Sequence, residues 1–307
     1  MFSAMRNMAM KFCNAKSPDG QCPPLQRGIV FFLCKQSFIL SLHLRAECGR
    51  IGQKGGHIMK YTDLIFDLYG TLVDIHTEES AEVWEKTAIF FGFYGAKYTG
   101  KELKAAFLDA MKAWQIQAGQ SYECFPDIPF EQVMAQLFRE GGAAEAEALG
   151  IHAAQLFRIC SIEYLRLYPK VKESLSKLRE LGCRLWLLSN AQHVFTAFEL
   201  RHLGLGEQLD GIYISSDYGC RKPDVRFFQA LLNEQKLDPQ SCLMIGNDRD
   251  TDIAGAKAAG LDTFYMHTAL TPPDQAPADS DNPMEFEGDD WETIAEILRK
   301  LKKAPVR

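Results

Sequence analysis

The chain has 307 residues, 47% of them apolar, which is enough for one large domain or two ordinary ones around a substantial core. Its net charge of −6 is unevenly spread: residues 1–58 hold eight Lys and Arg against two Asp and Glu, and the rest hold 26 against 38. An acidic body excludes a non-specific nucleic-acid binder, and an anionic ligand would need a metal or a local cation to hold it.

The nine cysteines form no Cys-x-x-Cys pair and stand at no metal-ligand spacing with histidines. They read as reduced thiols in a cytoplasmic protein. Residues 1–58 show no persistent helical or strand period. Their apolar run from Ile29 to Leu44 is broken by Lys35, Gln36 and His43, too polar to span a membrane and too deep in the chain for a secretory signal. Lys54-Gly55-Gly56 can be encoded by a purine-rich ribosome-binding sequence shortly ahead of Met59. Translation is therefore expected to start at Met59, with residues 1–58 a non-native leader or extension.

From Lys60 the pattern is orderly. Leu64-Ile65-Phe66 reads as a buried strand that ends at Asp67 in a Gly-Thr turn. Residues 78–93 carry an apolar helical face, and Thr99 with Glu102 makes a capping box for a second helix reaching Gly119. Asp127 and Pro129 open a third, which stops at Gly141-Gly142. Residues 143–167 read as a fourth. Four helices without an intervening strand predict a helical module over 76–167, set into a second unit made of 59–75 and 168–307. Trp84, Phe90, Phe91, Trp114 and Phe138 are expected to form its core.

After Pro169 helices and strands alternate. Strands are predicted at 184–188, 212–214, 242–245 and 263–266, with helices between them and a last helix over 290–303. This rhythm predicts an α/β fold with a doubly wound parallel sheet. Residues 267–284, rich in Pro, Asp and Ala, read as a solvated loop.

Parallel strands share a direction, so their polar carboxyl ends converge on one edge of the sheet. Those ends carry Asp67; Ser189 and Asn190; Lys222; and Gly246-Asn247-Asp248 through Asp252. Taken one at a time, each has an ordinary alternative. Asp67 can be a turn former, Ser189 or Asn190 a helix cap, Lys222-Pro223 an exposed turn, and the aspartates helix starters.

Together and in this order the residues resemble the four motifs of the haloacid dehalogenase-like (HAD) hydrolase superfamily, over about residues 60–304. The motifs stand here as Asp67-Leu68-Tyr69-Gly70-Thr71, Ser189, Lys222-Pro223, and Gly246-Asn247-Asp248 through Asp252. The resemblance implies a Rossmann-like core with an inserted all-helical cap, and a two-step displacement in which Asp67 is the nucleophile. It implies catalytic roles for Asp67, Tyr69, Ser189 and Lys222, and substrate binding by Thr71, Ser189, Asn190 and Lys222. It also implies a Mg2+ cofactor held by Asp67, the main-chain carbonyl of Tyr69, and Asn247, Asp248 or Asp252. The expected substrate is a small phosphorylated metabolite, with no nucleic acid and no membrane as partner; oligomeric state is left open.

Two departures open alternatives. Phosphatases of the superfamily usually carry a second aspartate two residues after the nucleophile, where this chain has Tyr69. A phenol of pKa about 10 is a poor acid near neutrality. On that reading Tyr69→Asp raises turnover of alkyl phosphates. The superfamily's 2-haloacid dehalogenases carry tyrosine there, which makes dehalogenation an alternative. They lack the acidic fourth motif, however, and use an arginine early in the cap, whereas Asp74 to Gln120 contains none. A third alternative is a catalytically weak binding or regulatory protein on the same fold.

Overall fold

The computed structural model describes residues 60–119 and 125–302. The expected start at Met59 and leader over 1–58 lie outside the described residues. Six strands form one parallel sheet: β1 (Asp63–Phe66), β4 (Arg184–Ser189), β5 (Gly211–Ile214), β6 (Cys242–Gly246), β7 (Asp262–His267) and β8 (Glu285–Glu287). Their order is β5-β4-β1-β6-β7-β8, so β1 sits inside the sheet with β4 and β6 as parallel partners.

Strand period decides which side chain goes to which face. Leu64 and Phe66, Leu185 and Leu187, and Leu243 and Ile245 pack into one hydrophobic cluster. Their alternating neighbours Ile65, Trp186, Leu188, Cys242 and Met244 enter a second cluster on the opposite face. A strand buried on both sides reads as an unbroken apolar run, as these do. Each fully buried large apolar side chain contributes roughly 1.5–3 kcal/mol relative to exposure.

The other short pair was not expected. β2 (Val73–Thr77) lies antiparallel to β3 (Ile162–Leu167), with Val73 opposite Leu167. The expected helix over 143–167 is therefore corrected: α4 (Ala146–Ser161) ends where β3 begins. In Ile162-Glu163-Tyr164-Leu165-Arg166-Leu167 the half-buried residues are Ile162, Leu165 and Leu167, and the register shifts opposite His76 and Thr77.

Between β2 and β3 run α1 (Ala81–Phe93), α2 (Gly100–Gly119), α3 (Phe130–Glu140) and α4. They enclose a cluster of their own that includes Trp84, Phe91 and Phe138, with Phe90 and Trp114 packed against it. The capping box forms as read: Glu102 N donates to Thr99 Oγ1 at 3.3 Å, and Thr99 N donates to Glu102 Oε2 at 2.8 Å.

The sheet is flanked by α5 (Val171–Glu180), α6 (His193–His202), the single turn α7 (Ser215–Tyr218), α8 (Val225–Gln235), α9 (Ala254–Ala258) and α10 (Trp291–Lys302). Trp291 is wholly buried, and its indole Nε1 donates to the Thr71 carbonyl at 3.0 Å. The last helix thereby holds the turn that follows β1. Among the described residues no helix is long and apolar enough to cross a membrane.

Candidate active site

Asp67 follows β1 directly, and its amide still donates to Ile245 O of β6 at 3.0 Å. The chain then turns sharply, with the Leu68 carbonyl accepting from the amides of Thr71, Leu72 and Val73. Gly70 adopts φ +85°, and a Cβ there would lie 2.3 Å from Asn247 Nδ2. Both the left-handed backbone and the close approach require glycine. Three consecutive residues of this turn are anchored to three different segments of the chain. Thr268 Oγ1 donates to Gly70 O at 2.8 Å, Trp291 to Thr71 O, and the Tyr69 side chain reaches α6.

Lys222 sets the electrostatics of the site. It is 1% exposed, and its Nζ lies 2.7 Å from Asp67 Oδ1, 2.6 Å from Asp252 Oδ1 and 2.8 Å from Leu188 O. An ammonium survives such burial only with counter-charges in contact. Burial opposes the charged form of Lys222, but the two carboxylates prevail and hold its pKa above the ordinary value. Asp252 is equally buried, and that burial pushes its carboxyl up against the opposing pull of Lys222. Its Oδ2 accepts from Asp248 N at 3.1 Å. A Cβ on Gly246 would meet that oxygen at 2.3 Å, so β6 must end in glycine for Asp252 to fit.

Asn190 stands just beyond the end of β4, against Lys222. Its Nδ2 donates to Lys222 O at 3.0 Å and its Oδ1 accepts from Lys222 N at 2.8 Å. With both ends of its amide on the Lys222 main chain, Asn190 positions the lysine. The Lys222-Pro223 peptide it holds is cis.

Ser189 is 1% exposed and stands one residue beyond Leu188, whose carbonyl holds Lys222. Its buried Oγ has no hydrogen-bond partner among the described residues. Thr71 is fully buried and donates to Asn247 Oδ1 at 3.3 Å. Asp248 Oδ1 accepts from the amides of Asp250 and Thr251 and from Gln275 Nε2 at 2.8 Å. Burial works to raise its pKa, but these donors outweigh burial and hold it below the ordinary carboxylate value.

Tyr69 is held by residues that no motif announces. Its hydroxyl donates to Glu199 Oε2 at 2.6 Å and lies 3.0 Å from Thr196 Oγ1. Burial pushes the phenol well above its ordinary value, and the charge of Glu199 adds to the effect. A proton so placed is held, which is the opposite of what a general acid needs.

Asp127 is corrected too. It does not start α3, whose preceding residue is Pro129. Instead its carboxylate reaches the segments after β5 and β4. Oδ2 accepts from the Ser215 hydroxyl, and Oδ1 accepts from Gln192 Nε2 at 2.9 Å. The adjoining backbone pairs Pro126 with Cys220, close to Lys222. Burial raises the Asp127 pKa, outweighing the hydrogen bonds from Ser215 and Gln192 and the charge of Arg221.

Sequence reasoning missed Glu199, Thr196, Arg158, Gln192 and Ser215, which carry no motif and meet only through the fold. His193, whose Nδ1 lies 2.8 Å from Asp217 Oδ2, is more than half exposed and forms part of no buried cluster.

The chain is 28% identical over 167 residues to a glyceraldehyde 3-phosphate phosphatase of Methanopyrus kandleri, covering 54% of this chain and 71% of that one. It is 30% identical over 168 residues to a phosphoserine phosphatase of Thermus thermophilus, covering 54% of this chain and 61% of that one. The crystal structure of a 2-haloacid dehalogenase from Pseudomonas syringae superposes with a TM-score of 0.56 at 19% identity, covering 78% of this chain and 99% of that one, a likeness of fold. The family model of haloacid dehalogenase-like hydrolases matches residues 64–260, and with the strand-end residues above it shows that the chain is a hydrolase belonging to that family.

Proposed function

We propose that the chain is a magnesium-dependent phosphohydrolase that acts on a small phosphorylated metabolite through an aspartyl-phosphate formed on Asp67. The observation that carries this reading is the buried Asp67, Lys222 and Asp252 chain of charge, with the unpartnered Oγ of Ser189, the residue that follows Leu188, whose carbonyl accepts from the lysine. A buried hydroxyl without a protein partner suits an anionic ligand that supplies one. The names of the two curated relatives, both phosphatases, support the same substrate class.

With Oδ1 held by Lys222, Asp67 has Oδ2 to offer as nucleophile. Oδ2 bonds to phosphorus as the bond to the leaving oxygen breaks, and that oxygen takes its proton from solvent. Water then attacks phosphorus, the bond to Oδ2 breaks, and inorganic phosphate leaves with the carboxylate restored. Lys222 offsets the charge gathered between nucleophile and phosphoryl group, and Ser189 donates to a phosphoryl oxygen.

Magnesium takes six oxygen donors, and this site offers oxygens of several kinds. Among the described residues no three His, Cys, Asp or Glu side chains group as a ready metal cage. A magnesium ion would therefore rest on Asp67, the Tyr69 carbonyl, and Asn247 or Asp248, with water and phosphate oxygens completing the shell. The Tyr69 carbonyl suits that part, since the turn's own hydrogen bonds go to the carbonyls of Leu68 and Val73, and Thr268 and Trp291 take those of Gly70 and Thr71. Asp252, engaged by Lys222 and the Asp248 amide, fits better as the lysine's counter-charge. When bound, the ion supplies charge to offset the phosphoryl oxygens.

We read the helical module over 76–167 as a cap on the core formed by 59–75 and 168–307, its Asp127 and Arg158 lying at the seam. Tyr69 favours the second reading, a 2-haloacid dehalogenase, while the oxygen-rich segment 247–252 opposes it. Phosphate release from a panel of phosphate esters, assayed with magnesium and with chelator beside a haloacid panel, tests the proposal. Halide release that ignores chelation would replace it with the dehalogenase reading. Phosphate binding without turnover would replace it with a regulatory protein.

A further inference from the structure

Three separate segments meet at Glu199. Tyr69 comes from the turn two residues after Asp67, Glu199 from α6, and Arg158 from the last turn of α4 in the helical module. Arg158 Nε and Nη2 donate to Glu199 Oε1 and Oε2 at 2.6 and 3.0 Å, a two-pronged contact. The Arg158 side chain is 15% exposed and that of Glu199 4%. The guanidinium also lies over the rings of Phe195, 4.6 Å from its centroid, and Tyr69, 5.5 Å away. The Tyr69 hydroxyl completes the group at 2.6 Å from Glu199.

Charges this deep are kept only where the geometry satisfies both partners, and each member of the group satisfies another. The connectivity adds meaning. Tyr69 leads into β2 and Arg158 into β3, and these two strands pair with each other. Glu199 thus joins both connectors of the helical module at the level of the nucleophile.

We propose that Tyr69, Glu199 and Arg158 form a positioning triad that fixes the Asp67 turn against the helical module, with Tyr69 acting on Asp67 through the backbone of the turn. The inference rests on the phosphohydrolase reading for its reporter reaction. It assigns Tyr69 no contact with the leaving group. Tyr69→Phe removes one hydroxyl and leaves the Arg158 and Glu199 pair intact, so it separates the two roles.

The experiment compares wild type, Tyr69→Phe, Glu199→Gln and the double variant on 4-nitrophenyl phosphate and on a simple alkyl phosphate. Amide hydrogen exchange of residues 67–73 is measured in parallel. A positioning role lowers kcat by a similar factor on both substrates, on the order of tenfold to a hundredfold for a misplaced nucleophile. It also speeds exchange in the turn, and it makes the double variant no worse than the poorer single one. Where Glu199→Gln does not fold, Arg158→Lys takes its place, since it keeps the charge and loses the two-pronged contact. A loss confined to the alkyl phosphate would overturn the proposal, because only a proton donor discriminates by leaving group. Unchanged exchange in the turn would overturn it as well. If wild type releases no phosphate from either substrate, the phosphohydrolase reading fails, and the exchange measurement still decides the triad.

Discussion

Lys222 Nζ lies 2.7 Å from Asp67 Oδ1 with both groups nearly removed from water, so each depends on the other for the cost of its burial. Replacing the lysine by an uncharged residue leaves Asp67 facing Asp252 without a cation between them. Breaking a buried pair from one side costs about 3–5 kcal/mol. Lys222→Met is therefore predicted to lower the unfolding free energy from urea titration by that order at pH 8, moving the midpoint down, and to abolish hydrolysis. An unchanged midpoint would mean that the carboxylates find another way to be compensated.

Ser189 gives the opposite combination. Its Oγ has no hydrogen-bond partner among the described residues, so Ser189→Ala removes a buried polar atom that the fold does not use. Stability should stay equal or rise. Loss of one donor to a developing anion costs roughly 10²–10³ in kcat, and that drop is predicted for phosphate ester hydrolysis. A variant both fully active and less stable would show that the hydroxyl serves the fold.

At the end of β6 the tolerance is steric. A Cβ on Gly246 would lie 2.3 Å from Asp252 Oδ2, inside any permitted contact. Gly246→Ala should cost about 1–3 kcal/mol through overpacking and should displace Asp252 from Lys222. Thermal unfolding and the hydrolysis rate ought to fall together. A neutral result would imply that the strand end shifts freely.

Asp127 predicts a pH dependence whose sign follows from its raised pKa. A carboxyl that binds its proton more tightly in the folded than in the unfolded chain contributes stability at low pH. That contribution is lost as pH rises from the unfolded value through the folded one. Asp127→Asn cannot ionise, so the component should vanish from a series of urea midpoints taken upward from pH 4. Parallel curves for variant and wild type would show that the carboxyl titrates alike in both states.

The parallel sheet and its strand-end residues were legible because both follow from local pattern. An apolar run of four or five residues ending in a polar one marks a buried strand and its carboxyl edge, and parallel direction then gathers Asp67, Ser189, Lys222 and Asp252. The β2 and β3 pair was not legible. Ile162–Leu167 runs on from α4 with no glycine or proline between them, and its period emerges only against Val73–Thr77.

The role of Tyr69 was hidden for a different reason. Glu199 lies 130 positions away and Arg158 another 41 from it, so no spacing could announce them. Their contact also reverses the expectation for Tyr69→Asp. Aspartate is too short to reach Glu199, so the substitution loses the hydroxyl donor and releases the turn from α6, and phosphatase turnover should fall. Steady-state rates on an alkyl phosphate check this, and a gain would restore the view that the chain lacks only a proton donor.

The most direct measurement follows the oxygen that water brings to the intermediate. With enzyme in excess over a phosphate ester, magnesium present and heavy-oxygen water as solvent, attack on phosphorus labels the released phosphate and leaves Asp67 unlabelled. Mass spectrometry of the phosphate and of the peptide that contains Asp67 reads both outcomes. Label in the phosphate alone is the predicted result. Label in the Asp67 carboxylate would place the water's attack on the aspartyl carbonyl carbon, the chemistry of a carbon ester intermediate, and would contradict phosphoryl transfer through Asp67.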